Sequence, residues 1–241
     1  MATATALSPK ILSVERLPLL AGISPTDFGT VIASAREKCF RRRQVIFWEG
    51  DPVEQAVMLL SGSVKITQLG FGGGEVILRI CGPGDVVSGF QPSAHSNHVF
   101  TAQSVQPSAA LVWQVATFWT LLEHFPVFRR NAVHALEQSL QELEQRFREV
   151  STERVCSRLS SELIRLSNRL GRTSNGTSKI SLSRVELAQL TGTTLFTISR
   201  LLCQWQTLGI VRVGREEVHV RDFDALMQLS RNGLESQSRT G

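Results

Sequence analysis

Residues 182–205 (LSRVELAQLTGTTLFTISRLLCQW) have the pattern of two short helices joined by a tight turn. Ser183 can cap the first helix, and Glu186, three residues later, completes a capping box. Gly192 stands at the turn, where the backbone needs a residue in the left-handed conformation. Because the caps, the turn glycine and the spacing of the apolar residues agree, this segment predicts a helix-turn-helix.

The second predicted helix begins with two apolar residues, Leu195 and Phe196, for which the following sequence offers no obvious core. In a recognition helix, the N-terminal residues face the base edges of the major groove. Leu195 and Phe196 could contact thymine methyl groups there, and Arg200, one turn later, could donate two hydrogen bonds to guanine. The alternative for Phe196 is a contact with the wing or with the first domain.

Further DNA contacts are predicted around this helix pair, because hydroxyl groups and arginines suit phosphates. The residues concerned are Ser183, Arg184, Thr193, Thr194, Thr197, Ser199, Arg212 and Arg215. The two last-named arginines lie in residues 208–222, where apolar and polar residues alternate around Gly214 as in a β-hairpin. The hairpin completes a winged helix-turn-helix, which a helical segment at 151–170 and a polar loop at 171–179 precede.

Residues 39–115 have the pattern of short strands separated by glycine-containing turns. Runs rich in β-branched residues occupy positions 45–47, 57–60, 64–66 and 76–78. Strands at this spacing predict an antiparallel barrel or roll. The run FGGGE has the composition of a hairpin tip. A phosphate-binding loop is the alternative, but the GK[ST] that it needs does not follow.

A helix that forms a dimer is predicted at residues 126–151. Apolar residues recur there at steps of three and four between polar flanks: Val133, Leu136, Leu140, Leu143, Phe147 and Val150. This narrow stripe is typical of a two-stranded coiled coil and predicts a homodimer. The alternative is a helix packed on its own domain.

The sequence therefore predicts an α+β protein of two domains. A β-roll sensor domain with flanking helices covers residues 11–125, and the dimer helix follows it. The winged helix-turn-helix domain covers residues 152–229. Residues 1–10 and 230–241 are expected to be flexible.

Composition favours a nucleic-acid partner. The formal charge is +5 and the isoelectric point is near 9.5. The N-terminus lacks a signal-peptide pattern, and no apolar run reaches the roughly 18 residues of a membrane helix, so a cytoplasmic location is expected. The cysteines, Cys39, Cys81, Cys156 and Cys203, form no CxxC pair, which argues against structural zinc.

With these motifs the chain resembles the CRP/FNR superfamily of bacterial transcription regulators. The resemblance rests on EGD, LLSGSVKI and GPGD in the roll, on the long helix, and on LSRVELAQLTGTTLFTISRLL. It implies a homodimer that binds a near-palindromic promoter site and acts on RNA polymerase. The two recognition helices would enter major grooves about 34 Å apart. Phe196 stands where the family has a base-reading glutamate and Leu195 where the cyclic-AMP branch has an arginine, whereas Arg200 matches the family.

The same comparison argues against cyclic AMP as the effector. The cyclic-AMP branch has a Gly-Glu-Leu run after the GD turn and an Arg-Ser pair about ten residues later. Here Ser88, Gly89 and Phe90 occupy the first place, and Ser96 and Asn97 the second. The phosphate would lose its charged partner. A leucine at position 143 also replaces the hydroxyl that would meet the adenine, and no N-terminal cysteine set suggests an iron–sulfur cluster.

Other effectors stay open at this stage. His95 and His98, near Asn97, Cys81 and Asp85, could hold haem or a metal ion, as in some relatives, or could be solvated loop histidines. Cys81 could be a redox thiol, although no depressed pKa is evident. An apolar ligand could contact four aromatic or aliphatic residues that otherwise fill the core: Phe90, Phe100, Val112 and Trp113.

Three alternatives accompany the prediction of a regulator that is switched by an effector, redox or gas signal. A cupin-like metalloenzyme would need three or more converging ligands, whereas the roll offers two histidines in a loop, so the chain is not expected to be an enzyme. A constitutive DNA-binding protein would need no effector, and DNA could be read weakly by shape.

The run Arg41–Arg43 is a solvated surface run or meets flanking DNA or polymerase.

Overall fold

The computed structural model describes residues 17–90, 96–170 and 177–235. A 3-10 helix at Pro18–Leu20 and helix α1 at Pro25–Ala33 precede the roll. The strands of the roll are β1 Arg36–Phe40, β2 Val45–Phe47, β3 Gln55–Ser61, β4 Val64–Leu69, β5 Glu75–Cys81, β6 Val86–Ser88, β7 Thr101–Ser104 and β8 Ser108–Gln114. After the roll come α2 Val115–His124, α3 Pro126–Thr152 and α4 Val155–Leu170. The C-terminal elements are β9 Ser178–Ile180, α5 Arg184–Thr191, α6 Leu195–Thr207, β10 Val211–Val213, β11 Val218–Val220 and α7 Phe223–Glu235.

The roll consists of two four-stranded antiparallel sheets, ordered β1-β8-β3-β6 and β2-β7-β4-β5. Leu59 and Val112 from the first sheet meet Ile66 and Ala102 from the second in a buried apolar core. The other face of the first sheet packs through Trp113 against α1, α2 and the start of α3. The predicted antiparallel roll is confirmed, because alternating side chains supply both of these cores.

Helix α3 is buried against the roll near its beginning, at Phe128 and Ala132. Further along, the residues of the predicted seam are exposed in the single chain. Their exposed fractions are Val133 60%, Leu136 44%, Leu140 56%, Leu143 53%, Phe147 75% and Val150 50%. The helix therefore carries a stripe of apolar side chains that this chain does not cover by itself.

The C-terminal domain is a winged helix-turn-helix whose three-stranded sheet has the order β10-β11-β9. Two details differ from the sequence prediction. Ser178 and Lys179, assigned to the loop at 171–179, belong to β9 because their backbone pairs with β11. The predicted tail at 230–241 is wrong in its first part, because α7 continues to Glu235. Within residues 17–90, 96–170 and 177–235, no helix has the length and apolarity to span a membrane.

Candidate nucleic-acid interface

Helix α5 begins with the predicted capping box. The Ser183 hydroxyl accepts a hydrogen bond from the Glu186 amide at 3.2 Å, and the Glu186 carboxylate accepts one from the Ser183 amide at 2.8 Å. Gly192 ends the helix with φ 62° and ψ 48°, the left-handed conformation that its position predicted. Leu187 and Ala188 are buried on the inner face. These local bonds fix the angle at which the second helix follows.

Helix α6 has a buried back and an exposed apolar start. Thr194 caps it by accepting a hydrogen bond from the Thr197 amide at 3.2 Å. Ile198 is fully buried, whereas Leu195 is 48% and Phe196 78% exposed. In the single chain, neither the wing nor the roll buries Phe196. The apolar start of α6 is therefore open to a partner.

The other predicted DNA contacts surround this exposed start. Arg200 lies four residues after Phe196, on the same face of α6, and is exposed. Ser199, Arg184 and Thr193 are half-buried. The hydroxyl groups of Ser183, Thr194 and Thr197 already form cap hydrogen bonds within the domain.

The wing is a short hairpin in which Val211 pairs with Val220 and Val213 with Val218. It exposes Arg212 and Arg215. Hydrogen bonds from His219 and Lys179 lower the pKa of Glu217 to about 2. The charge of this carboxylate is thus balanced within the domain, which leaves the wing arginines available for phosphates.

A layer of charged residues between α3 and α4 was missed by the sequence reasoning. The Glu149 carboxylate accepts two hydrogen bonds from Arg165, both at 2.7 Å. The Glu162 carboxylate accepts from Arg146 at 2.6 Å and from Arg165 at 2.7 Å. Burial opposes ionisation of Glu149, but the hydrogen bonds and charge of Arg165 outweigh it, so the pKa of Glu149 is lowered. The spacing of Glu162 and Arg165 on one face of α4 was the available sequence signal.

A cavity of about 420 Å³ lies between the roll and α3. Its wall is mainly apolar and includes Ile66, Leu78, Val86, Phe90, Phe100, Leu136, Leu140 and Leu143. Phe90 and Phe100 thus lie where an apolar ligand could contact them, whereas Val112 and Trp113 belong to the core. Arg79 on the wall donates to Ser139 at 3.0 Å and to the Val86 carbonyl at 3.2 Å.

Two of the predicted effector residues lie around the turn after β5: Cys81 ends β5, and Asp85 stands just before β6. Cys81 is buried in the core of the roll, and burial, opposed by Arg79, raises its pKa to about 11. The thiol therefore stays protonated near neutral pH, unlike a reactive redox thiol. The Asp85 carboxylate accepts from the Gly82 amide at 2.8 Å and pairs with Arg169 at 3.5 Å.

The histidines are divided between described and undescribed parts of the chain. His98 is buried and stacks on Phe47 with ring centroids 3.5 Å apart, whereas Asn97 is exposed. Burial, opposed by Asp51, lowers the pKa of His98. His95 lies outside the described residues. Among residues 17–90, 96–170 and 177–235, no three His, Cys, Asp or Glu side chains converge as metal ligands.

Comparison with known proteins decides the family. A cyclic nucleotide-binding domain matches residues 37–125, and a Crp-like helix-turn-helix domain matches residues 154–229. The chain belongs to the CRP/FNR family. The two matches cover both domains and most of the 241 residues.

Relatives in the CRP/FNR family match along most of the chain. The cyclic AMP receptor protein of Thermus thermophilus is 24% identical over 88% of this chain and 96% of its own length. The anaerobic regulatory protein of Pasteurella multocida is 27% identical over 81% of this chain and 72% of its own length. The solved structure of FixK2 from Bradyrhizobium japonicum has a TM-score of 0.71 at 22% identity and covers 81% of this chain and 96% of that chain. CRP/FNR proteins are DNA-binding transcription regulators, so the chain is a regulator and not a cupin-like enzyme.

Proposed function

We propose that the protein is a homodimeric regulator that reads a near-palindromic DNA site and responds to a small effector. The observation that carries this proposal is the exposed apolar start of α6, on a helix whose other side is buried in its own domain. Leu195 and Phe196 remain in water unless a partner covers them. The major groove of DNA, with its thymine methyl groups, is the partner that a recognition helix meets at this end.

The proposed dimer follows from the uncovered stripe on α3. Six apolar residues at coiled-coil spacing are exposed, and polar residues such as Glu137, Gln141 and Glu144 flank them. A second copy of α3 would bury both stripes together. It would also set the two α6 helices at the fixed separation that a near-palindromic site requires.

The effector is proposed to occupy the cavity between the roll and α3. Its apolar wall favours a mainly apolar molecule, and Arg79 supplies a cation for an acidic group. The apolar side chains of Phe90, Leu140 and Leu143 on the wall favour such a molecule over a cyclic nucleotide, and Arg146 is held by Glu162 and the Leu78 carbonyl. A haem or metal site at His95 and His98 would need the imidazole of His98 as a ligand. That imidazole is buried and stacked on the ring of Phe47.

The regulator would act in the cytoplasm, where chromosomal DNA and RNA polymerase are found. Selection of random duplex DNA by the purified protein, at one moderate salt concentration, tests the proposal. Recovery of a two-fold symmetric motif with half-sites one helical turn apart is expected. Selection should be repeated with a small-molecule extract, because an effector that binds in the cavity would raise the amount of DNA that is bound. Recovery of sequences without a common motif under both conditions would contradict sequence-specific binding.

A further inference from the structure

A second cleft, of about 230 Å³, opens between the two sheets of the roll where β1 and β2 lie. Lys38 of β1 and Gln55 of β3 line it from the first sheet, and Phe47 of β2 lines it from the second. Lys38 stands two residues before the buried Phe40, and alternate residues of a strand share a face. The side chain of Lys38 therefore lies on the face of β1 that covers the core, and the cleft is an opening into the roll.

This cleft is separate from the cavity between the roll and α3. The cleft and the cavity have no lining residue in common. Aromatic rings stand between them: the ring centroid of Phe47, in the cleft, is 5.8 Å from that of Phe100, in the cavity. A molecule in the cleft would therefore be a second ligand of the roll, distinct from the effector proposed above.

The wall of the cleft includes a buried histidine whose hydrogen bonding is incomplete. His98 is 4% exposed, lines the cleft and stacks on Phe47. Its Nδ1 atom has no hydrogen-bond partner in the part of the chain that the structure describes. Burial, opposed by Asp51, lowers the pKa of His98, so the ring is neutral near pH 7 and offers one N–H donor and one acceptor nitrogen. Because a buried nitrogen without a partner costs free energy, a polar ligand group at this ring would be favourable.

Side chains of opposite charge line the same cleft without neutralising one another. They are Lys38, Asp51 and Glu54. Among the described residues, none of the three forms an ion pair. The ammonium group of Lys38 lies 5.2 Å from the ring centroid of Phe40, and Asp51 Oδ2 accepts a hydrogen bond from the Trp48 amide at 2.8 Å. A molecule that carries both charges can pair with both sides of the cleft.

Size and charge together define the class of ligand. Drug-sized molecules occupy pockets of about 300–1,000 Å³, so a cleft of about 230 Å³ suits a smaller molecule. Lys38 can pair with a carboxylate, whereas Asp51 and Glu54 can pair with an ammonium group. A metal ion is not indicated, because these carboxylates and His98 do not converge as metal ligands. A free amino acid is small and carries both charged groups.

We infer that the cleft between β1 and β2 binds a small zwitterion of the free amino acid class, whose carboxylate pairs with Lys38 and whose ammonium group pairs with Glu54 and Asp51. The bound molecule also gives the imidazole of His98 a polar neighbour. The inference does not depend on DNA binding, because every residue of the cleft belongs to the roll.

The test measures the binding of the standard L-amino acids, one at a time, to the full-length protein by isothermal titration calorimetry. At least one should bind with a dissociation constant of about 1 mM or below. Its N-acetyl derivative lacks the ammonium group, and its α-carboxamide lacks the carboxylate. Each derivative should bind roughly tenfold more weakly, as expected for loss of one hydrogen bond between charged groups.

Two variants assign each charge of the ligand to its partner in the cleft. Lys38→Gln should bind the amino acid roughly tenfold more weakly and should no longer distinguish it from the carboxamide. Glu54→Gln should distinguish it less from the N-acetyl derivative. Both positions are exposed, so the fold should persist, and thermal melting checks this. The matched controls are Glu37→Gln on the other face of β1 and Arg129→Gln at the start of α3, which should bind as wild type does.

Three results would overturn the inference. The first is that none of the amino acids binds. The second is equal affinity for an amino acid and both of its derivatives, which would mean that the cleft does not recognise the charges. The third is loss of binding in Arg79→Gln with normal binding in Lys38→Gln. That result would place the amino acid in the larger cavity, which Arg79 lines.

Discussion

Phe196 should act as a reader of thymine methyl groups. Phe196→Ala should weaken binding to the selected duplex by about 1 kcal/mol, because burial of one methyl group is worth about 0.8 kcal/mol. Replacing thymine by deoxyuridine in the duplex should cost the wild type a similar amount and the variant nothing. Fluorescence anisotropy with the two proteins and two duplexes measures this coupling. Because Phe196 is 78% exposed, the melting temperature should not change.

A matched control for Phe196 lies at the other end of the same helix. Leu208 is 64% exposed at the C-terminal cap of α6. Leu208→Ala removes an apolar side chain of comparable exposure, and it should leave DNA affinity unchanged. If replacing thymine by deoxyuridine costs wild type and Phe196→Ala the same amount of binding free energy, the methyl contact belongs to another residue.

Glu149 makes stability depend on pH. Its pKa is lower in the folded protein than in the unfolded chain, so its stabilisation is present above the ordinary glutamate range and is lost as pH falls through the folded value. Glu149→Gln should lower the free energy of unfolding at pH 7 by at most about 3 kcal/mol, because Arg165 keeps Glu162 as a partner. Urea titrations at pH 7 and pH 4 should show a smaller difference at the lower pH. Glu144→Gln, at an exposed position of α3, should show neither effect.

Single residues were predictable from the sequence where their partners are close in the chain. The capping box of Ser183 and Glu186 and the left-handed Gly192 depend on neighbours within a few positions. The ion pairs of Glu149 with Arg165 and of Arg42 with Glu216 join residues that are distant in sequence. Propensity and periodicity carry no information on such pairs, so only the folded chain shows them.

At the level of elements, α3 should determine the dimer. Phe147 is 75% exposed and does not line the cavity, so Phe147→Ala should leave the fold of the single chain intact. It should weaken the dimer by about 2–4 kcal/mol per dimer, since both copies lose an apolar contact. Analytical ultracentrifugation measures the dissociation constant, and DNA affinity should fall with it. Glu144→Ala, also exposed on α3, is the control, and an unchanged dimer in Phe147→Ala would refute the assigned seam.

Elements with strong periodicity were predicted well, and short polar ones were not. The seam of α3 shows its period in the sequence, because one face of the helix is apolar. Ser178–Ile180 is short and mostly polar, so it reads as a loop, yet its backbone completes the wing sheet. Sheet edges of this kind are held by hydrogen bonds of the main chain, which leave little trace in composition.

In the whole molecule, the charged layer connects the cavity to the DNA-binding domain. Glu142 and Arg146 of α3 line the cavity, and they pair with Arg169 and Glu162 of α4. A molecule that enters the cavity must touch these residues or their neighbours. Ion pairs exchanged at α3 would therefore move α4, which packs in the core of the helix-turn-helix domain. Coupling of this kind is typically worth about 1–3 kcal/mol.

Arg169 should hold the DNA-binding domain against the roll. Its guanidinium donates to the Ile80 carbonyl at 2.8 Å and pairs with Asp85 at 3.5 Å and with Glu142. Arg169→Gln should lower the local stability of this contact by about 1.5 kcal/mol, since hydrogen bonds to charged groups are worth roughly that much. Hydrogen exchange should become about tenfold faster in β5 and at the end of α4, and stay unchanged in the cores of the two domains.

The control for Arg169 is Arg154→Gln, which removes an exposed arginine just before α4 and should leave exchange unchanged. Uniformly faster exchange in Arg169→Gln would mean global destabilisation rather than a loosened interface. Unchanged exchange at β5 would mean that the apolar contact of Ile77 and Ile80 with the helix-turn-helix core holds the domains without the charges. In that case the effect of a molecule in the cavity would have to reach the DNA-binding domain through apolar packing. Ile80→Ala would then be the variant that separates the domains.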